Sequence, residues 1–486
     1  MAPLPHLEPI TEESAERNRL RRQWVLGRIE DPARSGWIAH ELGSGLRFLA
    51  HPDLRVRRFG DETSGLLLVG TPFHARLGMR EAEQRLRDPG LCEHEPLARF
   101  LDGLGGTYVV IRFDLHSTWI YSDPAAMLGV YYAAGRAASS PSLLPGLERD
   151  TDLDREYPLG GRDDWYTGSL TPFLGVRALL ANHALDVFSG ATVRFWPHRA
   201  VEAREPEEGL REASELLRLA MRDLTDLGPL LVSLTGGRDS RVNLAAAKEL
   251  AQGIHFFTLR STSIKACDRE APEQLARDFQ LDHRFVDPAP TAPWLTEMYD
   301  EMTGGLALGT RREILGTCNQ LASNDGIHVN GNLGAITKSF FWPTPSPKQV
   351  KRRALAKEFV NKSPRILAGI DEWLSSLPEG LPAIVVYNLM YLEQRGGRWM
   401  GVGETASNLF YESVTPFCSR ELFETISGLP TRNQYGGTLL VDFVRELWPE
   451  LLGVPYCRQT RNWGSFLPVS VRSRMRSLLT RIQRIR

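Results

Sequence analysis

The stretch LLVSLTGGRDSRVNLAAAKEL, Leu230 to Leu250, decides the fold of the second half of this chain. A short apolar run is followed by two glycines and then by a run with helical spacing, which predicts a buried strand, a tight turn and a helix. The first N–H groups of a helix have no partner within it, and the helix dipole there favours an anion. The stretch therefore predicts a phosphate site at the turn. The alternative is an ordinary turn with a capping Asp or Ser.

The residue types of the turn suit a nucleotide and its metal ion. Gly236 and Gly237 let the backbone approach a phosphate closely, and Asp239 can hold the Mg²⁺ that accompanies a polyphosphate. The pattern is not the Walker loop, which needs GxxxxGK[ST]. The candidate nucleotide residues of the turn are Ser233, Thr235, Gly236, Gly237, Asp239 and Ser240, with Asp239 as the metal ligand.

Composition narrows the class of protein. The 486 residues, 42% hydrophobic and 24% charged, predict two or three globular domains and exclude a disordered or fibrous chain. The net charge of -1 gives no case for a nucleic-acid partner. Five scattered cysteines without a CxxC pair predict reduced thiols, and no apolar run approaches the ~20 residues of a membrane span. We expect a cytoplasmic protein without a transmembrane segment.

The pattern of the chain changes near its middle. Residues 1–205 contain short alternating apolar runs separated by Gly, Pro, Asp and Ser, which predict antiparallel sheets. From residue 206 helical spacing begins, and short buried strands then alternate with helices, as in a parallel α/β sheet. From about Pro347 the pattern is nearly all helical. The predicted domains are 1–205 and 206–486, with the boundary in the acidic segment near Glu205.

Four fragments, in one order, resemble a known family. SLTGGRDSR (233–241) resembles the pyrophosphate loop, usually SGGxDS, of the PP-loop ATP pyrophosphatases of the asparagine synthetase-like branch. LGGTYVVIRFDLHSTWIYSDPAAMLGVYYA (104–133) with SSPSLL (139–144) is similar to the core of a class II glutamine amidotransferase. YESVTPFCSREL (411–422) is similar to the lExRvPFlD segment of the synthetase domain. The resemblance implies an α/β chain with an α+β N-terminal half: an Ntn-type αββα sandwich, then a PP-loop parallel-sheet domain with a helical C-terminal region.

The family's chemistry is ATP-dependent amide formation, in which a carboxylate attacks the α-phosphate and an amine then displaces AMP. The resemblance implies an AMP-forming amide ligase with ATP and Mg²⁺ as cofactors, and with small-molecule or peptide carboxylates and amines as substrates. Groups that grip the pyrophosphate stabilise charge that grows in the transition state. The matched residues are catalytic Glu412, Asn330 and Gly331 of the second phosphate loop, and Leu231, Val232, Thr258 and Leu259 beside the adenine.

The glutaminase part departs from the family pattern. Members that hydrolyse glutamine use a cysteine exposed after Met removal, whereas Ala2 stands here, and GTPFHA (70–75) replaces the glutamine-holding NGEIYN. We therefore predict no glutaminase activity, and we interpret Asp123 and the pair Ser139-Ser140 as turn and strand-end residues. β-Lactam synthetases and lasso-peptide cyclases also resemble asparagine synthetase while dispensing with glutamine chemistry.

The synthetase part departs too. Ala335 and Ile336 replace the acidic pair of the second loop, and no lysine follows Lys362, where the family has one near the reaction centre. Lys338 is the candidate catalytic cation that neutralises a phosphate in place of a metal; the alternative is an exposed loop lysine. Arginine also binds phosphate. The arginines considered for the missing charge are Arg395, Arg398, Arg432 and Arg458. The alternative function is a degenerate homologue that binds nucleotide or acts as a scaffold.

Other features have two interpretations each. Asp268 and Glu270 follow the second strand of the α/β half, where the family often has acidic residues, and helix capping explains them equally. His183 and His328 lie beside buried strands and are interpreted as core histidines. The basic amphipathic helix predicted for 469–486 either binds an acidic peptide or other partner, or packs on its own domain.

A third function, activation of a tRNA base, is disfavoured by the Ntn-like first half.

Overall fold

The computed structural model describes residues 6–29, 36–159, 165–260, 266–308, 310–338, 340–341, 349–355, 363–434 and 436–457. The strands are β1 (Trp24–Gly27), β2 (Ile38–Glu41), β3 (Arg47–Ala50), β4 (Val56–Gly60), β5 (Gly65–His74), β6 (Leu104–Phe113), β7 (Thr118–Ser122), β8 (Tyr131–Ala133), β9 (Arg136–Ala138), β10 (Arg177–Ala178), β11 (His183–Asp186), β12 (Thr192–Arg194), β13 (Leu230–Ser233), β14 (His255–Leu259), β15 (Asp282–Val286), β16 (Ile327–Val329) and β17 (Glu412–Val414). The helices are α1 (Met79–Arg85), α2 (His94–Phe100), α3 (Thr151–Glu156), α4 (Pro206–Thr225), α5 (Arg238–Ala246), α6 (Ala266–Asp278), α7 (Pro293–Thr303), α8 (Thr310–Glu313), α9 (Leu315–Asn319), α10 (Arg352–Leu355), α11 (Pro364–Ser375), α12 (Ala383–Leu389), α13 (Gly401–Ser407), α14 (Arg420–Gly428) and α15 (Thr438–Leu447), with a π-helix at Met390–Met400. Short 3₁₀ turns lie at Pro89–Cys92, Leu101–Gly103, Pro141–Leu143, Ala251–Gly253, Gly334–Lys338 and Pro449–Gly453.

The first half of the chain, up to residue 205, forms two six-stranded antiparallel sheets, as its alternating apolar runs predict. Their strand orders are β10-β8-β9-β1-β3-β2 and β12-β11-β7-β6-β5-β4. The sheets pack face to face around a buried core to which Trp24 and Phe48 contribute from the first sheet, and Val109 and Ile120 from the second. This is a sandwich in which each strand buries alternate side chains between the sheets.

The outer layers differ from the expected αββα arrangement. Within the described ranges the first half supplies only the short helices α1, α2 and α3, of six or seven residues. Leu66 and Leu68, on the outer face of β5, share a core with Leu216 and Leu217 of α4, which belongs to the second half. The two central sheets of the expected sandwich are therefore present, while much of the helical cover comes from the other half.

The second half, from residue 206, contains a five-stranded sheet in the order β15-β14-β13-β16-β17. All four neighbouring pairs are parallel, which confirms the predicted parallel sheet. β13 lies at its centre: Leu231 packs in a core with residues of α7 and α13, and Val232 in a core with residues of α4 and α5. A continuous apolar strand is what a sheet covered by helices on both faces requires.

Beyond residue 347 the regular elements of the described chain are helical except for β17, which agrees with the nearly all-helical prediction. β17 has three residues and is followed closely by Pro416, so no alternating pattern develops. It pairs with β16 as the last strand of the parallel sheet and lies against β5 and β6 of the first half. The two halves therefore meet at this edge.

The predicted boundary near Glu205 falls between the last strand of the antiparallel sheets, which ends at Arg194, and α4, which begins at Pro206. No helix in the described ranges is long and apolar enough to cross a membrane. Ala2, Lys362, Arg458 and the basic segment 469–486 lie outside the described residues, and what was predicted for them stays a prediction.

Candidate functional site

The predicted strand, turn and helix follow one another at the centre of the parallel sheet. β13 ends at Ser233, the Gly-Gly turn (residues 234–237) follows, and α5 begins at Arg238 with Gly237 as its N-cap residue. The turn leaves the sheet at the carboxyl ends of its strands, where parallel α/β sheets place their ligands. The N-terminus of α5 therefore points its first N–H groups into this edge.

The hydroxyl groups of the turn are used within it. Ser240 Oγ accepts a hydrogen bond from Thr235 N at 3.1 Å and lies 3.0 Å from Thr235 Oγ1. Thr235 Oγ1 in turn accepts from Gly237 N at 3.1 Å. Ser233 Oγ donates to Val329 O at 3.4 Å. Thr235 and Ser240 thus shape the Gly-Gly turn, whereas Ser233 bonds to β16.

A second loop (residues 330–338) packs directly on the first turn of α5, next to the Gly-Gly turn. It follows β16, the parallel neighbour of β13. A Cβ added at Gly331 would lie 2.9 Å from Asp239 Cβ, and one added at Gly334 would overlap the Asp239 carboxylate. At Gly331 the close contact includes the backbone of Asp239 and Ser240, so glycine is required there, whereas a methyl group at Gly334 would displace the Asp239 carboxylate.

Lys338, at the end of the second loop, neutralises the candidate metal ligand. Its Nζ lies 3.0 Å from both carboxylate oxygens of Asp239. Both side chains are partly exposed, at 23% for Lys338 and 33% for Asp239. The structure thus brings together two predicted site residues that are 99 positions apart.

Asp268 and a disulfide flank the other side of the turn. Asp268 Oδ1 accepts a hydrogen bond from Gly236 N at 3.2 Å. Cys267 is bonded to Cys457, 190 residues later, with Cα atoms 5.3 Å apart. This corrects the expectation that all the cysteines are reduced; spacing along a sequence does not reveal a pairing between distant segments. Cys92 and Cys418 are free thiols, and Cys318 is buried.

The strand residues suggested for the adenine are largely buried. Leu231 and Val232 are 2% and 0% exposed, within the cores on the two faces of the sheet. Thr258 Oγ1 donates to Leu234 O at 2.6 Å, and Leu259 is partly exposed at the end of β14. The backbone of Leu231 and Val232 is paired with β14 on one side and β16 on the other, so of these four residues only Leu259, at the end of β14, is placed to meet a base at this edge.

Glu412 faces away from the two loops. Its carboxylate accepts hydrogen bonds from Arg55 Nε at 2.7 Å and from Thr71 Oγ1 at 2.9 Å, both in the first half of the chain. This geometry gives the predicted catalytic role of Glu412 no support; its contacts are those of a residue that joins the two halves. The role stays a prediction.

A different acid, Glu404 of α13, lies beside the second loop. Its carboxylate accepts from Asn332 Nδ2 at 2.6 Å, from Asn330 Nδ2 at 3.2 Å and from the Ser413 hydroxyl. Ser413 is next to Glu412 in β17, and neighbouring strand residues point to opposite faces. The sequence analysis missed Glu404, whose only signal is an isolated acid in the small-residue run GVGETAS. It positions the second loop.

Residues interpreted as structural in the first half are buried and bonded. Asp123 accepts backbone hydrogen bonds from Ala125, Met127 and Leu128, each at 2.9 Å, and its burial raises the pKa of the carboxyl to about 6. His183 Nδ1 lies 2.9 Å from Ala181 O, and burial lowers the pKa of this histidine to about 4. Both arrangements are those of fold-forming groups.

Comparison with known proteins gives little further information. No protein-family model matches the chain, and no curated protein matches it. Among solved structures it is similar to an allosteric regulatory enzyme of purine biosynthesis, with 10% identity over 65% of this chain and 70% of that one, at a TM-score of 0.21. It is also similar to the glutamine phosphoribosylpyrophosphate amidotransferase of B. subtilis complexed with ADP and GMP, with 9% identity over 67% and 73% of the two chains, at a TM-score of 0.21. Likeness at this TM-score carries no argument about fold or function.

Proposed function

We propose that this chain is an ATP-dependent, AMP-forming amide ligase that joins a carboxylate to an amine without hydrolysing glutamine. The observation that carries the proposal is the meeting of two glycine-containing loops at Asp239 and Lys338, at the carboxyl edge of a parallel sheet and at the start of α5. Sequence resemblance supplies the reaction class, through SLTGGRDSR and the segment around Glu412.

The residues around the Gly-Gly turn carry the types of chemical group that bind ATP and Mg²⁺. Lys338 and the first N–H groups of α5 would hold the β- and γ-phosphates, because they place positive charge and donors at one point. Asp239 and Asp268 would hold Mg²⁺ through carboxylate oxygens. The metal ion supplies further positive charge to the departing pyrophosphate.

The reaction has two balanced steps. An oxygen of the substrate carboxylate bonds to the α-phosphorus of ATP, while the bond from that phosphorus to the bridging oxygen breaks and pyrophosphate leaves. The amine nitrogen then bonds to the acyl carbon, AMP leaves with the electrons of the broken C–O bond, and the amine loses a proton. Lys338 acts in the first step, since its charge stabilises the growing charge on pyrophosphate.

Calorimetry tests the nucleotide site. The wild-type chain is expected to bind ATP more tightly with Mg²⁺ than without it, and Asp239→Ala is expected to remove that difference. Lys338→Met is expected to weaken ATP binding at least about tenfold, or ~1.4 kcal/mol. Lys248→Met, at an exposed lysine just beyond α5, is the matched control and should bind like the wild type. Absence of binding at millimolar ATP contradicts the proposal.

Pyrophosphate release tests the reaction. Mixtures of carboxylates, each with and without an amine, are expected to reveal a substrate that releases pyrophosphate and AMP in equal amounts. A second candidate function is a nucleotide-binding protein without ligase activity. It is favoured because the site's own groups bind each other: Gly236 N donates to the Asp268 carboxylate, and Lys338 forms an ion pair with Asp239. ATP binding without pyrophosphate release from any carboxylate supports that second function instead.

A further inference from the structure

The segment that ends at Cys457 lies across the Gly-Gly turn. Cys457 N donates to Gly236 O at 2.9 Å, and Cys457 Sγ is bonded to Cys267. The next residue after Cys267 is Asp268, whose carboxylate accepts from Gly236 N. One disulfide-linked unit therefore occupies both the carbonyl and the N–H of the glycine that a phosphate would have to approach.

The contact between the disulfide and the turn is tight. A Cβ added at Gly236 would overlap Cys457 Sγ and would lie 2.8 Å from Cys267 O and 3.2 Å from Asp268 Oδ1. The space above Gly236 is thus filled by the disulfide unit. A polyphosphate cannot approach Gly236 on this side while the disulfide unit is in place.

The residues before Cys457 are anchored independently of the disulfide. Arg241 of α5, which is fully buried, stacks on the ring of Tyr456 at 4.0 Å and donates to Leu451 O at 3.5 Å and to Pro455 O at 3.3 Å. Cleavage of the disulfide would leave this anchor intact. Cys457 itself would then be held by its backbone hydrogen bond to Gly236, so the freed movement is confined to the end of the segment.

Both cysteines of the disulfide are partly exposed, and the disulfide links their segments covalently. Cys267 and Cys457 are each partly exposed, so a small reductant can reach them. Asp268 Oδ1 lies 3.4 Å from Cys457 Sγ. Cleavage of the S–S bond removes the covalent link between the two segments, so that Cys457 is held at the turn only by weak contacts, its backbone hydrogen bond to Gly236 among them.

We propose that Cys267–Cys457 is a redox-sensitive closure of the nucleotide site: the disulfide shuts the Gly-Gly turn, and its reduction opens the turn to ATP. The inference rests on the proposed function for its ligand. A dithiol reductant supplies two electrons and two protons, the S–S bond breaks, Cys267 and Cys457 become thiols, and the reductant becomes a cyclic disulfide. Cys457 then leaves Gly236, whose N–H and carbonyl become available.

The test compares oxidised and dithiothreitol-reduced full-length protein, with the number of free thiols counted in each. Calorimetry with ATP and Mg²⁺ is expected to give at least about tenfold tighter binding to the reduced protein. Cys457→Ser and Cys267→Ser should bind like the reduced wild type in both conditions. Cys92→Ser, at a partly exposed free cysteine in the first half, should keep the redox response.

Hydrogen exchange at residues 234–240 separates failure of this inference from failure of the proposed function. Faster exchange after reduction, at these residues and not in the antiparallel sheets, is the expected result whether or not ATP binds. Equal ATP binding and equal exchange in both states overturn the closure while leaving the ligase proposal standing. Five free thiols in the oxidised protein, with or without a bound zinc ion between Cys267, Asp268 and Cys457, also overturn it.

Discussion

Replacement of Arg420 tests how the two halves of the chain are held together. Its guanidinium is fully buried and donates to four acceptors of the first half. These are Asn182 Oδ1 at 2.8 Å, Leu101 O at 2.8 Å, Tyr108 OH at 3.0 Å and Ser122 O at 2.9 Å. Arg420→Met keeps a long apolar side chain but removes every donor. At a net value of about 1 kcal/mol for each bond, the expected loss in the free energy of unfolding is about 4 kcal/mol.

Differential scanning calorimetry measures this loss, which corresponds to a fall of about 4 °C in Tm for a chain of 486 residues that melts as one unit. Arg420→Lys keeps the charge but has three donors on one nitrogen rather than a planar fork, so an intermediate fall is expected. Arg432→Met, at an exposed arginine of the same region, is the control and should melt like the wild type. If Arg420→Met also melts within about 1 °C of the wild type, the buried guanidinium does not join the halves and the reasoning fails.

Three further predictions concern the site, a histidine and the disulfide. Gly334→Ala should weaken binding of ATP with Mg²⁺ at least about tenfold in calorimetry, because the new methyl group displaces the Asp239 carboxylate, whereas Gly453→Ala, in open space, should not. The pKa of His183 is about 4 in the folded protein, below its value of 6.5 in the unfolded chain, so the neutral histidine stabilises the fold above pH 6.5 and this contribution is lost as the pH falls towards 4. Between pH 6.5 and pH 4 the wild type should therefore lose about 3 kcal/mol more unfolding free energy than His183→Gln, as measured by urea titration. Cys267→Ser should lower the free energy of unfolding by up to about 5 kcal/mol, since the disulfide closes a long loop.

Each of these three predictions has a result that would contradict it. Unchanged ATP affinity in Gly334→Ala would mean that Asp239 takes no part in nucleotide binding. A His183→Gln variant that loses stability on acidification as steeply as the wild type would show that the histidine is not buried in its neutral form. An unchanged unfolding curve for Cys267→Ser under oxidising conditions would mean that the disulfide does not form.

The centre of the site could be predicted from the sequence because its signals are local. The apolar run of β13, the glycines at Gly236 and Gly237 and the helical spacing after Arg238 lie within one short stretch, and each indicates the same strand–turn–helix unit. The parallel sheet around it follows from short apolar strands that alternate with helices. Lys338 was singled out from the sequence as well, but its contact with Asp239 is seen only in the structure, and its catalytic role stays a prediction.

The rest depends on contacts between distant segments. The pairing of Cys267 with Cys457 and the turn of Glu412 towards Arg55 depend on tertiary structure that no short window contains. The three-residue strand β17 gave no periodicity, so the side of the sheet that each of its residues faces could not be assigned. Because the side to which Ser413 of β17 points could not be assigned, nothing in the sequence indicated that Glu404 lies beside Ser413 and the second loop.

The position of β17 has a consequence for the first half of the chain. β17 is the outermost strand of the parallel sheet and lies against β5 and β6, and just beyond it Cys418 O accepts a hydrogen bond from Gly106 N of β6 at 2.8 Å. An uncovered strand edge recruits strands from other molecules. The first half therefore works as a permanent folding partner. Residues 206–486 produced alone should aggregate, and their insolubility would appear before any catalytic defect could be measured.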